Sequence, residues 1–418
     1  MTLLRNAGII GVFLLVWQAK TVGQDAWIAT WASSPQPVDA GPKEPLLGIE
    51  NQTVRERVRV SVGGERIRIR FSNEYGSAPL VIGSAAVGVP VDLASVKAGS
   101  TQAVTLGGSK GTTIAAGAVV LSDAVAFRVP AGGEISISIY FPKRVGTPTL
   151  HAMALKRAVV SKAGDFTGAE MIEGGAVSRS SISVTAVLVP ASASQRLVVA
   201  FGDSVMDGDG STVDADDNWP GDLRRRLAKM GEGSKVAVVN AGIGGNRLLS
   251  DGVGVSEGFG ASGLSRFDRD ALGLPGVTHV VVLEGINDLA FPGAKLGEEY
   301  LADPKQVRTA EELTDGYRQL IARAHARGVK VIGVTMSPFE GVDLPGYYSE
   351  AKDAIRQEVN RWIRTSGAYD GVIDFEVVMR DPGHRNRILA KFAYEDHLHP
   401  NADGYRALAE AVDLSLFK

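Results

Sequence analysis

Leu197-Val198-Val199-Ala200-Phe201 is an unbroken apolar run, and Gly202-Asp203-Ser204 follows it directly. Five apolar residues without polar alternation predict a strand buried on both faces, as in a parallel sheet covered by helices. The next segment, Pro220–Met230, has helical spacing. Leu223, Leu227 and Met230 share one stripe, Arg224, Arg225 and Lys229 lie off it, and Pro220 suits the first helical position. Val236–Val239, Val277–Leu283, Val329–Thr335 and Val372–Phe375 read as further strands. Val307–Arg327, ended by Gly328, reads as a helix, as do Tyr348–Thr365 and Ala402–Val412. Alternating strands and helices predict a parallel sheet with helices on both faces and a ligand beyond the carboxyl ends of the strands.

Upstream the period changes from that of a helix to two. Arg57-Val58-Arg59-Val60-Ser61-Val62 and Arg66-Ile67-Arg68-Ile69-Arg70-Phe71 both alternate, and Gly63-Gly64 between them predicts a hairpin. Val58, Val60, Ile67 and Ile69 are expected in a core, with the arginines forming the solvent face. Leu80–Val89, Ala118–Leu121, Val125–Val129, Ile135–Phe141 and Ile182–Val189 are the other strand candidates. Many short strands with Gly-rich turns predict a β-sandwich or jelly-roll-like domain. Pro190 to Gln195 reads as a linker. The expected layout is an accessory all-β domain at 24–190, a linker at 191–195 and an α/β domain at 196–418.

The 418 residues carry 44 Lys+Arg against 47 Asp+Glu, a net charge of −3, which argues against a nucleic-acid partner. The absence of Cys excludes disulfides, thiolate catalysis and iron–sulfur clusters. Met1 to Asn6 holds one Arg, Ala7 to Trp17 is apolar, and Thr21-Val22-Gly23 offers small residues. Residues 1–23 therefore read as an export signal of a secreted or periplasmic protein. The apolar run is far shorter than the roughly 20 residues needed to span a bilayer, so no stable membrane insertion is expected.

The polar residues gather after the predicted strands. Phe201 leads into Gly202-Asp203-Ser204. Val239 leads into Asn240-Ala241-Gly242-Ile243-Gly244-Gly245-Asn246, and Leu283 into Glu284-Gly285-Ile286-Asn287-Asp288. Asp396-His397-Leu398-His399 precedes the last helix. A serine hydroxyl is a weak nucleophile until an imidazole takes its proton. A carboxylate fixes the tautomer of that imidazole, and backbone N–H groups with a carboxamide can hold an oxyanion. These are the groups acyl transfer needs.

These four blocks, in this order, resemble those of the SGNH (GDSL) hydrolase superfamily. The extended first block, Gly202 to Gly208, resembles it too, and the resemblance covers Arg196 to Lys418. It implies a three-layer α/β/α SGNH-hydrolase domain and ester hydrolysis without a cofactor or metal. By match, Ser204 is the nucleophile and Asp396 orients His399, the general base. The backbone N–H of Ser204, that of Gly245 and the Asn287 side chain form the oxyanion hole. Gly242 and Gly244 lie close to Gly245, so the register of the second block is open by one residue.

Rival motifs carry less. Gly107-Gly108-Ser109-Lys110-Gly111 lies between β segments, and Gly254-Val255-Ser256-Glu257-Gly258 lies in a Gly-rich loop; neither has the strand-to-helix context of a nucleophile elbow. His279 reads as a satisfied core residue, His325 as solvated, His384 as part of an Arg-rich loop, and His151 as part of the β-rich half. Asp396, His397 and His399 are a lesser alternative as metal ligands. Asp203 and Asp288 are expected to shape loops, and Tyr347 and Tyr348 to border the acyl or alcohol pocket. The expected function is an exported esterase acting on carboxylic esters, with acetylated polysaccharide as a substrate suggested by architecture alone. The alternatives are a lipase or lysophospholipase-type acylhydrolase and a glycan-binding protein with a non-catalytic α/β domain.

Overall fold

A computed structural model describes residues 26–38, 46, 48–152, 154–231, 233 and 235–418. The expected export signal at 1–23 lies outside the described residues. Five parallel strands form a sheet in the order Val236–Gly242, Arg196–Gly202, Val277–Leu283, Lys330–Val334, Gly371–Ile373. Leu197 to Phe201 are fully buried, as their unbroken apolarity dictates. The chain passes from this strand to a neighbour on one side and then to neighbours on the other. That reversal makes a switch-point crevice at the carboxyl end of Arg196–Gly202, where Ser204 begins the next helix. Trp219–Lys229 packs with Ala402–Glu410, and Ala310–His325 packs with Glu350–Thr365. Right-handed crossovers running in opposite directions put such helix groups on opposite faces of a sheet.

Element ends differ from the sequence reading for identifiable reasons. The helix expected from Val307 starts at Ala310, because Thr309 and Glu312 close a capping box there. Met230 lies beyond the end of its helix and is 66% exposed. The strand expected to include Phe375 stops at Ile373; Asp374 then caps a short helix, Phe375–Met379.

Among the described residues, those before Arg196 form strands and turns without a helix. A six-stranded antiparallel sheet contains Gln52–Arg59 and Glu134–Phe141, and a four-stranded one contains Trp27–Ala32, Val184–Pro190 and Arg68–Ser72. The hairpin expected at Gly63-Gly64 is therefore absent: the two alternating runs enter different sheets. The glycines serve close approach instead. A Cβ on Gly63 would lie 2.5 Å from the Val129 carbonyl oxygen, and one on Gly64 would lie 2.8 Å from Val189 Cβ. Val125–Val129 forms only isolated bridges, to Ile67 and Gly64. Val58, Val60, Ile67 and Ile69 are buried as expected.

The two halves share one apolar core. Trp27–Ala32 packs on Val236–Gly242, the edge strand of the parallel sheet. Ser61 Oγ accepts the outward-facing Val238 N–H at 2.8 Å, so the N-terminal half covers that edge. Arg57 and Arg59 are not a solvent face. Arg59 Nε pairs with Asp216 at 2.6 Å across the halves, and Arg57 lies 3.9 Å from Asp214. Among the described residues no helix is long and apolar enough to cross a membrane.

Candidate active site

Ser204 opens a single helical turn, Ser204–Asp207, at the end of the central apolar strand. Asp203 caps that turn by accepting the Val205 N–H at 3.0 Å. A Cβ on Gly202 would lie 2.2 Å from the Leu283 carbonyl oxygen, so glycine is required where the chain swings out of the sheet. Ser204 Oγ lies 2.7 Å from His399 Nε2. His399 Nδ1 lies 2.5 Å from Asp396 Oδ2, and Asp396 Oδ1 accepts the backbone N–H groups of Leu398 and His399. Residues separated by about half the chain in sequence thus form one continuous hydrogen-bonded row.

Electrostatics favour a charged Asp396 beside a basic imidazole. Burial pushes the Asp396 carboxyl up, but the hydrogen bonds from His399 and the neighbouring amides, with the charge of the ring, outweigh it and hold it at about 2. Burial pulls His399 down; its bond to Asp396 and the carboxylates of Asp209, Asp396 and Asp203 raise it above the ordinary histidine value. Burial pushes Asp203 up to about 7 and Asp209 to about 6.

The strand ends align the second and third blocks with Ser204. Gly202 is in register with Gly242 on one side and Leu283 on the other. The backbone N–H groups of the glycine block differ in what they meet. Gly242 N–H donates to Asn240 Oδ1 and Gly244 N–H to Asp207 Oδ2, while Gly245 N–H has no acceptor among the described residues. Gly245 sits at φ +72°, and a Cβ there would lie 2.5 Å from the Phe259 ring. The Ser204 N–H also lacks an acceptor among the described residues. Asn287 Nδ2 donates to the Asn246 carbonyl at 2.9 Å, and Tyr347 Oη donates to Asn287 Oδ1 at 3.0 Å. One N–H of the Asn287 amide stays uncommitted. Tyr347 is 2% exposed and orients this amide.

Arg266 was not singled out by the sequence, and it ties the blocks together. Its buried guanidinium donates to the carbonyl oxygens of Gly202 and Ala241, to Asn246 Oδ1 and to Glu284 Oε1. It also lies 4.1 Å over the Phe201 ring. Glu284, which had no assigned part, is buried 3.1 Å from Arg266, which also lies 3.3 Å from Asp270, and burial raises the Glu284 carboxyl well above the ordinary value. Asp288 shapes a loop as expected, accepting the Leu248 and Leu249 N–H groups. No sequence signal marked Arg266: two of its acceptors are backbone carbonyls, which every residue offers, and the other four are side chains scattered from Ser34 to Glu284.

Other residues stand apart. His279 is buried, but only its Nδ1 has a partner, Thr278, and burial lowers it to about 4. The expected satisfaction is thus half met. His325 is exposed and pairs with Asp370 at 2.8 Å. Gly254–Phe259 is a 3-10 helix, not an irregular loop, and Leu106 to Ser109 is a turn. Tyr348 packs edge-on against Phe339. His397 has φ +58°. Among the described residues no group of three His, Asp or Glu side chains is arranged to hold a metal.

Residues 200–407 match the family model described as the GDSL-like Lipase/Acylhydrolase family. Similar solved structures include an aryl esterase from M. smegmatis, 18% identical, covering 52% of this chain and 95% of that one with a TM-score of 0.39. A carbohydrate acetylesterase family member from Sinorhizobium meliloti is 18% identical, with 52% and 95% covered and a TM-score of 0.38. An acetyl xylan esterase is 21% identical, with 51% and 96% covered and a TM-score of 0.37. No curated protein matches the chain significantly. Through residues 200–407 the chain belongs to the SGNH (GDSL) hydrolase superfamily of lipases and acylhydrolases.

Proposed function

We propose that the protein is an exported serine esterase that hydrolyses carboxylic esters through an acyl-enzyme. The observation that carries this reading is the row Ser204 Oγ, His399 Nε2, His399 Nδ1, Asp396 Oδ2, with contacts of 2.7 and 2.5 Å. His399 takes the Ser204 proton as Oγ attacks the ester carbonyl. The carbonyl oxygen becomes an oxyanion held by the N–H groups of Ser204 and Gly245 and the amide of Asn287. Collapse expels the alcohol, which receives the proton from His399. Water, deprotonated by His399, then attacks the acyl carbonyl and releases the acid, restoring Ser204. Asp396 holds the ring in one tautomer and stabilises its charged form throughout.

Residues 24–190 form a β-sandwich, 191–195 a linker, and 196–418 the three-layer hydrolase domain. Residues 1–23 direct export to the periplasm or the medium. The substrate is an acetylated polysaccharide. An exported hydrolase with a β-rich half suits a polymer. A small apolar cavity next to the Ser204 turn, lined by Val205, Ile286, Met336 and Leu398 among others, suits a short acyl group better than a long one.

In a folded Ser204→Ala protein, turnover of p-nitrophenyl acetate should drop by about 10⁴–10⁶-fold. Turnover near the wild-type level would refute the nucleophile. Across an ester panel, acetyl esters should outrun long-chain esters, and the reverse order would favour a lipase.

A further inference from the structure

His151 lies in the short strand Leu150–His151 of the N-terminal half, yet its imidazole reaches the helical turn that carries Ser204. Its Nε2 is 3.1 Å from Asp207 Oδ1, and its Nδ1 is 2.8 Å from the Ser34 carbonyl oxygen. The two side chains are 8% and 4% exposed. A carbonyl oxygen only accepts, so Nδ1 carries a proton. Nε2 then faces a carboxylate oxygen, and that contact needs a second proton. Burial disfavours the charged ring, but Asp207, the Ser34 carbonyl and Asp209 raise its pKa above the ordinary value. Other ionisable groups near it are Glu56, bonded to Ser181, the residue paired with His151, and Arg266, which reaches Ser34 Oγ; Arg57, Arg59, Lys156, Asp216 and Arg224 line the same junction.

Asp207 joins this contact to the oxyanion loop. Its Oδ2 accepts the Gly244 N–H at 3.1 Å. Its carbonyl oxygen accepts from Asn218 Nδ2 and Asn240 Nδ2. The next N–H along the chain is that of Gly245. Two adjacent glycines leave this backbone free to turn, so an external anchor must set its direction. The N-terminal half also reaches the loop indirectly, through the 3-10 helix Gly254–Phe259. Gln36 Nε2 donates to the Gly258 carbonyl at 2.8 Å, next to Phe259, whose ring packs on Gly245.

We propose that His151 is a positioning residue of the esterase: it holds the Asp207 carboxylate, which holds Gly244, so that the Gly245 N–H meets the oxyanion. The N-terminal half is then an integral part of the active site. This role rests on the serine-esterase reading above.

A double-mutant cycle in the full chain tests it, with His151→Ala, Asp207→Asn and the pair assayed on p-nitrophenyl acetate. Each single change should lower kcat by about 10–100-fold with KM nearly unchanged, since a displaced donor weakens only the transition state. The double variant should be no worse than the poorer single variant, because both act through one link. His151→Gln, which keeps one donor, should recover part of the loss. In the wild type, ¹⁵N NMR at neutral pH should find both ring nitrogens of His151 protonated, and in Asp207→Asn the ring should be neutral. Folded variants with wild-type kcat, or losses that multiply, would overturn the proposal, as would a neutral ring in the wild type. If His151→Ala fails to fold, Asp207→Asn and the NMR signature decide. An inactive Ser204→Ala beside fully active His151 variants would remove only this role; an active Ser204→Ala would remove the esterase reading itself.

Discussion

At the scale of single residues, the serine-esterase reading makes the rate depend on how often the His399 ring is neutral. Only the neutral ring can accept the Ser204 proton. Burial lowers its basicity, and the bond to Asp396 with the Asp209, Asp396 and Asp203 carboxylates more than offsets that. The ring therefore keeps its proton to a higher pH than free histidine. The sign follows: kcat/KM should be low in acid and rise through a midpoint above the ordinary value of 6.5. Asp209→Asn removes one of the raising charges and should move the midpoint down. A pH–rate profile on p-nitrophenyl acetate measures both. A rate that holds level down to about pH 5 would count against an imidazole base.

At the scale of elements, the loop from Asn240 to Asn246 separates two neighbouring glycines by what each peptide does. Gly244 has ordinary φ, and a Cβ there meets only Asp209 Oδ2, at 3.2 Å. Gly245 has φ +72° and the Phe259 ring against it. Gly245→Ala should therefore cost kcat about 10²-fold by turning its N–H away, and Gly244→Ala much less. Equal losses in two folded variants would mean that the oxyanion donor lies elsewhere in the loop. The main elements of the α/β half were legible because their strands are mostly apolar and their helices carry a stripe, as in Leu197–Phe201 and Leu223/Leu227, whereas short helices such as Gly263–Phe267 and Phe375–Met379 are too brief to show a period. In the N-terminal half the alternation told which side of Val58 or Ile67 faced inward, and it could not tell which strand lay beside which. Gln52–Arg59 and Arg68–Ser72 look like hairpin partners and join different sheets. The site divides in the same way. Ser204, Asn287, Asp396 and His399 sit in short local blocks and could be read directly. Arg266 and His151 act on them from segments remote in sequence that carry no signature, and Tyr347, expected at the border of the pocket, instead holds the Asn287 amide.

At the scale of the whole molecule, the buried carboxyls set how stability responds to pH. Glu56 is 4% exposed; Ser181 donates to its Oε2, and its Oε1 has no partner. Burial pushes it up to about 8, with the Ser181 bond opposing only in part. Asp203 is raised to about 7, and Asp209 and Asp288 to about 6, with burial the largest cause in each. A carboxyl raised on folding stabilises the native state below its unfolded pKa, and that stabilisation is lost as pH climbs through the folded value. For Glu56 the window runs from 4.5, its ordinary value, to about 8. Asp396, held at about 2, works in the opposite sense: its contribution is present above the ordinary aspartate value and is lost only in strong acid. The balance puts maximum stability on the mildly acidic side, so the melting temperature should fall between about pH 5 and 8. Glu56→Gln has nearly the same shape and no proton to lose. It should melt higher than the wild type at pH 8 and flatten the decline, while matching it more closely at pH 5. A Glu56→Gln protein with the wild-type slope would mean that Glu56 is ionised and solvated in the native state, and that the junction it lines with His151 and Asp207 is open to water.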